Sequence, residues 1–98
     1  MTHDQIADEI MRRAQARGLR VHYCPDSRRC KGDSGMPDLM IFGQIGGTGW
    51  IEVKTPGDVM RPGQTTWMHT LRAAGQPCEI MTERDLRNGT VNLFLDQL

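Results

Sequence analysis

A chain of 98 residues, 38% hydrophobic and 24% charged, with twelve Lys and Arg against twelve Asp and Glu, is sized for one compact domain over residues 1–98 and leaves no room for a second core. No apolar run reaches the roughly 20 residues that span a bilayer, and MTHDQIADEI has neither the basic start nor the apolar stretch of a signal peptide, so the expected compartment is cytoplasmic. Three cysteines, Cys24, Cys30 and Cys78, are too few for a disulfide framework and odd in number, which fits free thiols in a reducing compartment.

Ile6, Ala7, Ile10, Met11 and Ala14 recur at helical spacing and stop before Gly18, predicting a first helix over 3–17. Leu19, Val21 and Tyr23 alternate with Arg20 and His22 as a short strand, and 25–37, rich in Pro, Gly, Ser and basic residues, is expected to be an exposed, mobile loop. Residues 39–42 and 50–54 flank a stretch with four glycines and predict a hairpin. Pro62 at a first helical turn, with Gly75 and Pro77 beyond the end, predicts a second helix over 62–74. Residues 78–81 read as a fourth strand, Thr82 as a helix cap, and the tail as helical with a break near Gly89. The order predicts an α/β fold, a mixed sheet flanked by helices.

The zero net charge hides an uneven distribution. Between positions 12 and 31 lie Arg12, Arg13, Arg17, Arg20, Arg28, Arg29 and Lys31 against Asp26 alone. Such a run offers phosphate contacts, or is simply a solvated surface. Aromatic residues, at 5%, are too few for a base-stacking platform.

Acids stand where strands normally place apolar side chains. Asp38 opens the second strand and Glu52 lies inside the third, between Ile51 and Val53. Glu52 and Lys54 leave the same face of that strand. With the hairpin centred near Gly46, Asp38 lies opposite Lys54 and Met40 opposite Glu52, which brings both acids and the lysine together. Neighbouring carboxylates repel unless a cation joins them, and hard oxygen donors suit Mg²⁺. The plainer alternative is a solvated Glu52–Lys54 stripe with Asp38 as a turn residue. Gln64 falls within the stripe made by Trp67, Met68 and Leu71, so an amide occupies a core-facing position and needs partners, or caps the helix from its first turn. Glu9, at the edge of the first helical stripe, is either an ion-pair partner of Arg13 or a third acid leaning toward a cation. His22, Cys24 and Cys30 match no closed tetrahedral zinc pattern, and His3 and His69 carry no signal by position.

Gly35-Met36-Pro37-Asp38, the glycine-rich turn, Glu52-Val53-Lys54 and Pro62-Gly63-Gln64-Thr65-Thr66-Trp67, in this order, resemble the VRR-NUC family of the PD-(D/E)xK nuclease superfamily. The resemblance implies a restriction-endonuclease-like αβββαβ core and Mg²⁺-dependent phosphodiester hydrolysis, with Mn²⁺ able to substitute. It further implies that Asp38, Glu52 and the Val53 carbonyl bind metal and that Lys54 orients or deprotonates water. Gln64 would support that lysine and the phosphate, and Glu9 would match the helix-one acid. Where the family often has a small polar helix cap, this chain has Arg61.

Stand-alone relatives of this size are similar to phage and prophage Holliday-junction resolvases, which implies branched DNA as partner, a homodimer, the cytoplasm of a bacterial host, and neither a membrane nor a small-molecule cofactor. Arg12, Arg13, Arg28, Arg29, Lys31 and Arg61 are the candidate DNA contacts. A sequence-preferring nicking or homing-type endonuclease, or a DNA-binding accessory module that does not cut, are the alternatives.

Overall fold

The computed structural model describes residues 1–29, 31–44 and 46–98. Helix α1 spans His3–Ala16, and its start is encoded by Thr2. The Thr2 hydroxyl accepts the Gln5 amide at 3.1 Å while Gln5 Oε1 accepts the Thr2 amide at 2.8 Å, a reciprocal cap. Gly18, at φ +78°, takes the left-handed turn that ends the helix.

Strand β1 (Arg20–Tyr23) pairs antiparallel with β2 (Leu39–Phe42), which pairs antiparallel with β3 (Thr48–Val53). Helix α2 (Pro62–Ala73) carries the chain across to β4 (Cys78–Met81), parallel to β3, in a mixed sheet of order β1-β2-β3-β4. Two short helices follow, α3 (Glu83–Arg87) and α4 (Thr90–Asp96), separated by Gly89 at φ +85°. Among the described residues no helix is long and apolar enough to cross a membrane.

The two sheet faces bury separate clusters. Ile6, Ala7, Ile10 and Ala14 of α1 pack with Leu39, Ile41, Ile51, Val53, Met81 and the apolar residues of α3 and α4. Met68 and Leu71 of α2 pack with Cys78, Trp50, Met60 and Trp67. Each fully buried aliphatic side chain contributes about 1.5–3 kcal/mol, so the larger cluster anchors the strands that carry the acids. Burial also pushes the Cys78 thiol up to about 11, leaving it an inert core residue. This is the α/β arrangement of the restriction-endonuclease-like core.

Two expectations need correction. The hairpin register pairs Met40 with Trp50 rather than with Glu52, because β3 begins at Thr48 and shortens the turn, which Gly43 closes by donating to the Gly47 carbonyl at 2.6 Å. The slip is of two residues, so side-chain parity survives and Glu52 keeps its face. Residue 45 lies outside the described residues.

The second correction concerns only the end of the loop before β2: Arg28, Arg29 and residues 31–34 are exposed as expected, but the last residues of the loop are held against α2. The Trp67 indole donates to the Asp33 carbonyl at 2.9 Å, and Gly35 and Pro37 are buried. Gly35, at φ +102°, lies so close to the first turn of α2 that a Cβ there would overlap the backbone of Gly63 and Gln64. Glycine at both 35 and 63 lets two backbones meet directly.

Candidate nuclease site

The pinned loop delivers Pro37 and then Asp38 to the start of β2, with the Asp38 carbonyl accepting the Cys24 amide at 2.8 Å. Asp38 Oδ2 accepts the Val53 amide of β3 at 2.8 Å, tying the acid to the neighbouring strand. Beside it, Glu52 is only 3% exposed and receives the side-chain amide of Gln64 at 2.8 Å.

Gln64 lies in the first turn of α2 and faces the sheet. Its Oε1 accepts both Lys54 Nζ and the Arg61 backbone amide, each at 3.0 Å, so the amide orientation is dictated by what surrounds it: a carboxylate on one side and donors on the other. The two readings left open for Gln64 are both realised, since the same side chain caps α2 and bridges Glu52 to Lys54. It also explains how Arg61 is tolerated at the cap position. Lys54 Nζ donates further to the Val59 carbonyl at 3.2 Å and sits 3.6 Å from Glu52 Oε1.

These residues line a cleft of about 420 Å³ together with His3, Pro25, Asp26, Arg28 and the turn after β3, Gly57 to Val59 and Arg61. Burial raises the pKa of Asp38 against the pull of the Val53 amide, His3 and Lys54. Glu52 is pushed up to about 7, first by burial and then by the charge of Asp38, with Lys54 opposing. Two acids are therefore held together with less positive charge than they require.

That donor set fits a hard divalent cation, which would relieve both desolvation and mutual repulsion. Among the described residues no group of three or more His, Cys, Asp and Glu side chains converges to hold a metal. Two carboxylates alone would leave water or phosphate oxygens to complete the shell of such a cation, as is usual for Mg²⁺.

Glu9 stands apart from these residues. It does not line the cleft; its carboxylate is taken by Arg12 (2.6 and 2.9 Å) and Arg13 (2.9 Å), which hold its pKa down at about 2. Arg13 also reaches the Leu86 carbonyl and Asn92, so this cluster ties α1 to α3 and α4. The residue of α1 that does reach the site is His3, whose Nε2 lies 3.1 Å from Asp38 Oδ2. No periodicity marks it; the only local hint is its place next to the helix cap.

The basic run divides in the fold. Arg28 and Arg61 line the cleft, Arg28 as a bidentate partner of Asp26 at 2.9 and 3.3 Å, and Arg29 and Lys31 are exposed on the same loop. Arg12 and Arg13, nine and ten residues from His3, are about 14 Å away along the helix axis and are engaged by Glu9. Of the candidate zinc ligands, Cys30 lies outside the described residues.

Comparison with known proteins agrees with this geometry. Residues 3–85 match the VRR-NUC domain. A solved structure described as "VRR_NUC domain" superposes with a TM-score of 0.76 at 20% identity, over 96% of this chain and 94% of the other. A second, a "VRR_NUC domain protein", gives 0.66 at 19% identity, over 96% and 85%. No curated protein matches. With the family match covering both acids, Lys54 and Gln64, and the fold shared almost end to end, the chain belongs to the VRR-NUC family of PD-(D/E)xK-related nuclease domains.

Proposed function

We propose that this chain is a Mg²⁺-dependent DNA endonuclease, with Mn²⁺ able to replace Mg²⁺, that hydrolyses phosphodiester bonds in branched DNA as a homodimer. The observation that carries the reading is the Glu52–Gln64–Lys54 bridge set beside Asp38 in one cleft. Asp38, Glu52 and the Val53 carbonyl would hold the cation. When bound, it supplies positive charge at the scissile phosphate and lowers the pKa of the attacking water.

The side chains perform the remaining work. Lys54, with two hydrogens committed to Val59 and Gln64, has one left with which to orient the nucleophilic water, and its charge opposes the negative charge growing on the phosphate. Gln64 holds that ammonium and Glu52 in register, so neither has to reorganise as the reaction proceeds. Arg28 and Arg61 contact phosphates at the cleft, while Arg29 and Lys31 extend the contact along an arm of the substrate. One site cuts one strand, so resolving a junction calls for two symmetric copies.

The test is incubation of the purified protein with a labelled four-way junction and a matched linear duplex, with Mg²⁺ and with EDTA. Paired nicks in the junction, lost with EDTA and in Asp38→Ala and Lys54→Ala, are expected. Cleavage that survives both substitutions would sink the site assignment. Binding without cleavage under every metal would favour an accessory module, and cutting of the duplex at one sequence a homing-type enzyme.

A further inference from the structure

A chain of side chains runs from the outside of α1 to the acid of β2. Tyr23 donates its hydroxyl proton to Asp4 Oδ1 at 2.7 Å, and the Tyr23 hydroxyl oxygen lies 3.1 Å from His3 Nδ1. His3 Nε2 then lies 3.1 Å from Asp38 Oδ2. The contacts of Nδ1 with the Tyr23 oxygen and of Nε2 with Asp38 fix the orientation of the ring, and because a carboxylate only accepts, the hydrogen bond to Asp38 is donated from Nε2–H. The His3 and Tyr23 rings are close and nearly parallel, with centroids 6.2 Å apart and planes 28° apart, so the ring is restrained on its face as well as at both nitrogens.

The consequence falls on Asp38. With Val53 N–H and His3 Nε2 both on Oδ2, the rotation of the carboxylate is set and Oδ1 is presented in one direction. We propose that His3, held by Tyr23 and Asp4, is a positioning residue that fixes the Asp38 carboxylate for its cation; this rests on the reading of Asp38 as a metal ligand. The alternative, a purely structural tie, is disfavoured by exposure: the Tyr23–Asp4 bond is at the surface, His3 and Tyr23 are only half-buried, and neither belongs to the fully buried core. Outer partners of this type typically change metal affinity by roughly 10–100-fold.

The experiment titrates Mn²⁺ alone into the full chain, following free Mn²⁺ by electron paramagnetic resonance, with melting temperature measured alongside. His3→Ala should weaken Mn²⁺ binding at least about ten-fold with an unchanged melting temperature. His3→Gln, whose amide nitrogen can occupy the place of Nε2, should recover most of that loss. Tyr23→Phe should weaken binding about three-fold in the native background and have no effect beside His3→Ala or His3→Gln, because Tyr23 acts only through the imidazole.

Native affinity in His3→Ala, with binding abolished by Asp38→Asn, would overturn the proposal and leave the metal site standing. So would an equal effect of Tyr23→Phe with and without His3. Absence of Mn²⁺ binding by the native chain, or native binding by Asp38→Asn, would instead remove the site reading on which the proposal rests.

Discussion

Glu9 and Glu52 are the same residue type on elements packed against each other, yet their environments push them in opposite directions. Glu9, on the outer side of α1, is clasped by two guanidinium groups and held at about 2. Glu52, inside β3, is buried beside a second acid, shares one lysine with a glutamine, and is raised to about 7. The first carboxylate is neutralised by its neighbours. The second is stabilised in shape by Gln64 but short of positive charge, which is the condition under which a divalent cation gains most.

The largest expected effect separates the two acids by activity. Glu52→Gln should lower cleavage at least about 10³-fold, the scale of losing an electrostatic contact in the transition state, whereas Glu9→Gln should remain within about three-fold of the native rate. Comparable losses in both would erase the distinction.

Next comes the cation itself. Mg²⁺ or Mn²⁺ at about 100 times its Kd should add about 2.7 kcal/mol to folding at pH 7.5, a rise in melting temperature of about 10 °C or more for a chain of this size. Asp38→Asn should abolish the rise, and Glu9→Gln should preserve it.

A smaller effect lies in the pH dependence without metal. Glu52 in the folded chain has a pKa above its ordinary 4.5, so the folded state binds the proton more tightly, and stability should fall by at most a few kcal/mol as pH rises from about 4.5 to about 7. Glu9 works the other way: its contribution is present above 4.5 and lost as pH falls toward 2. Denaturant titrations across both windows should show opposite slopes, and Glu52→Gln should flatten only the upper one.

The smallest effect is the stability contribution of the Glu9 cluster at neutral pH. Its arginine contacts are largely exposed, so Glu9→Gln should cost under about 1 kcal/mol and less still in high salt. A larger loss that salt does not reduce would mean that the link through Arg13 to Leu86 and Asn92 anchors α1 more firmly than an ordinary surface pair.

Much of the site is legible in the order of residues because strand and helix periodicities are local. Glu52 and Lys54, two apart, share a face in any register that preserves parity, so a misplaced hairpin centre does no harm to that inference. Gln64 declares itself because a 100° repeat places it in the apolar stripe of α2, where an amide must find partners.

What the chain order alone determined, then, is the αβββαβ succession, Glu52 inside one strand with Asp38 just before its neighbour, and the glutamine facing them. Only the tertiary structure decided which helix-one residue meets Asp38, because Glu9 and His3 are both compatible with an amphipathic helix, and the choice turns on where α1 starts relative to β2 and on which arginines lie nearby. The separation of the basic run has the same cause. Arg12, Arg13 and Arg28 belong to one basic run, but α1 carries the first two about 14 Å along its axis from His3, and β1 returns the chain so that Arg28 lines the cleft.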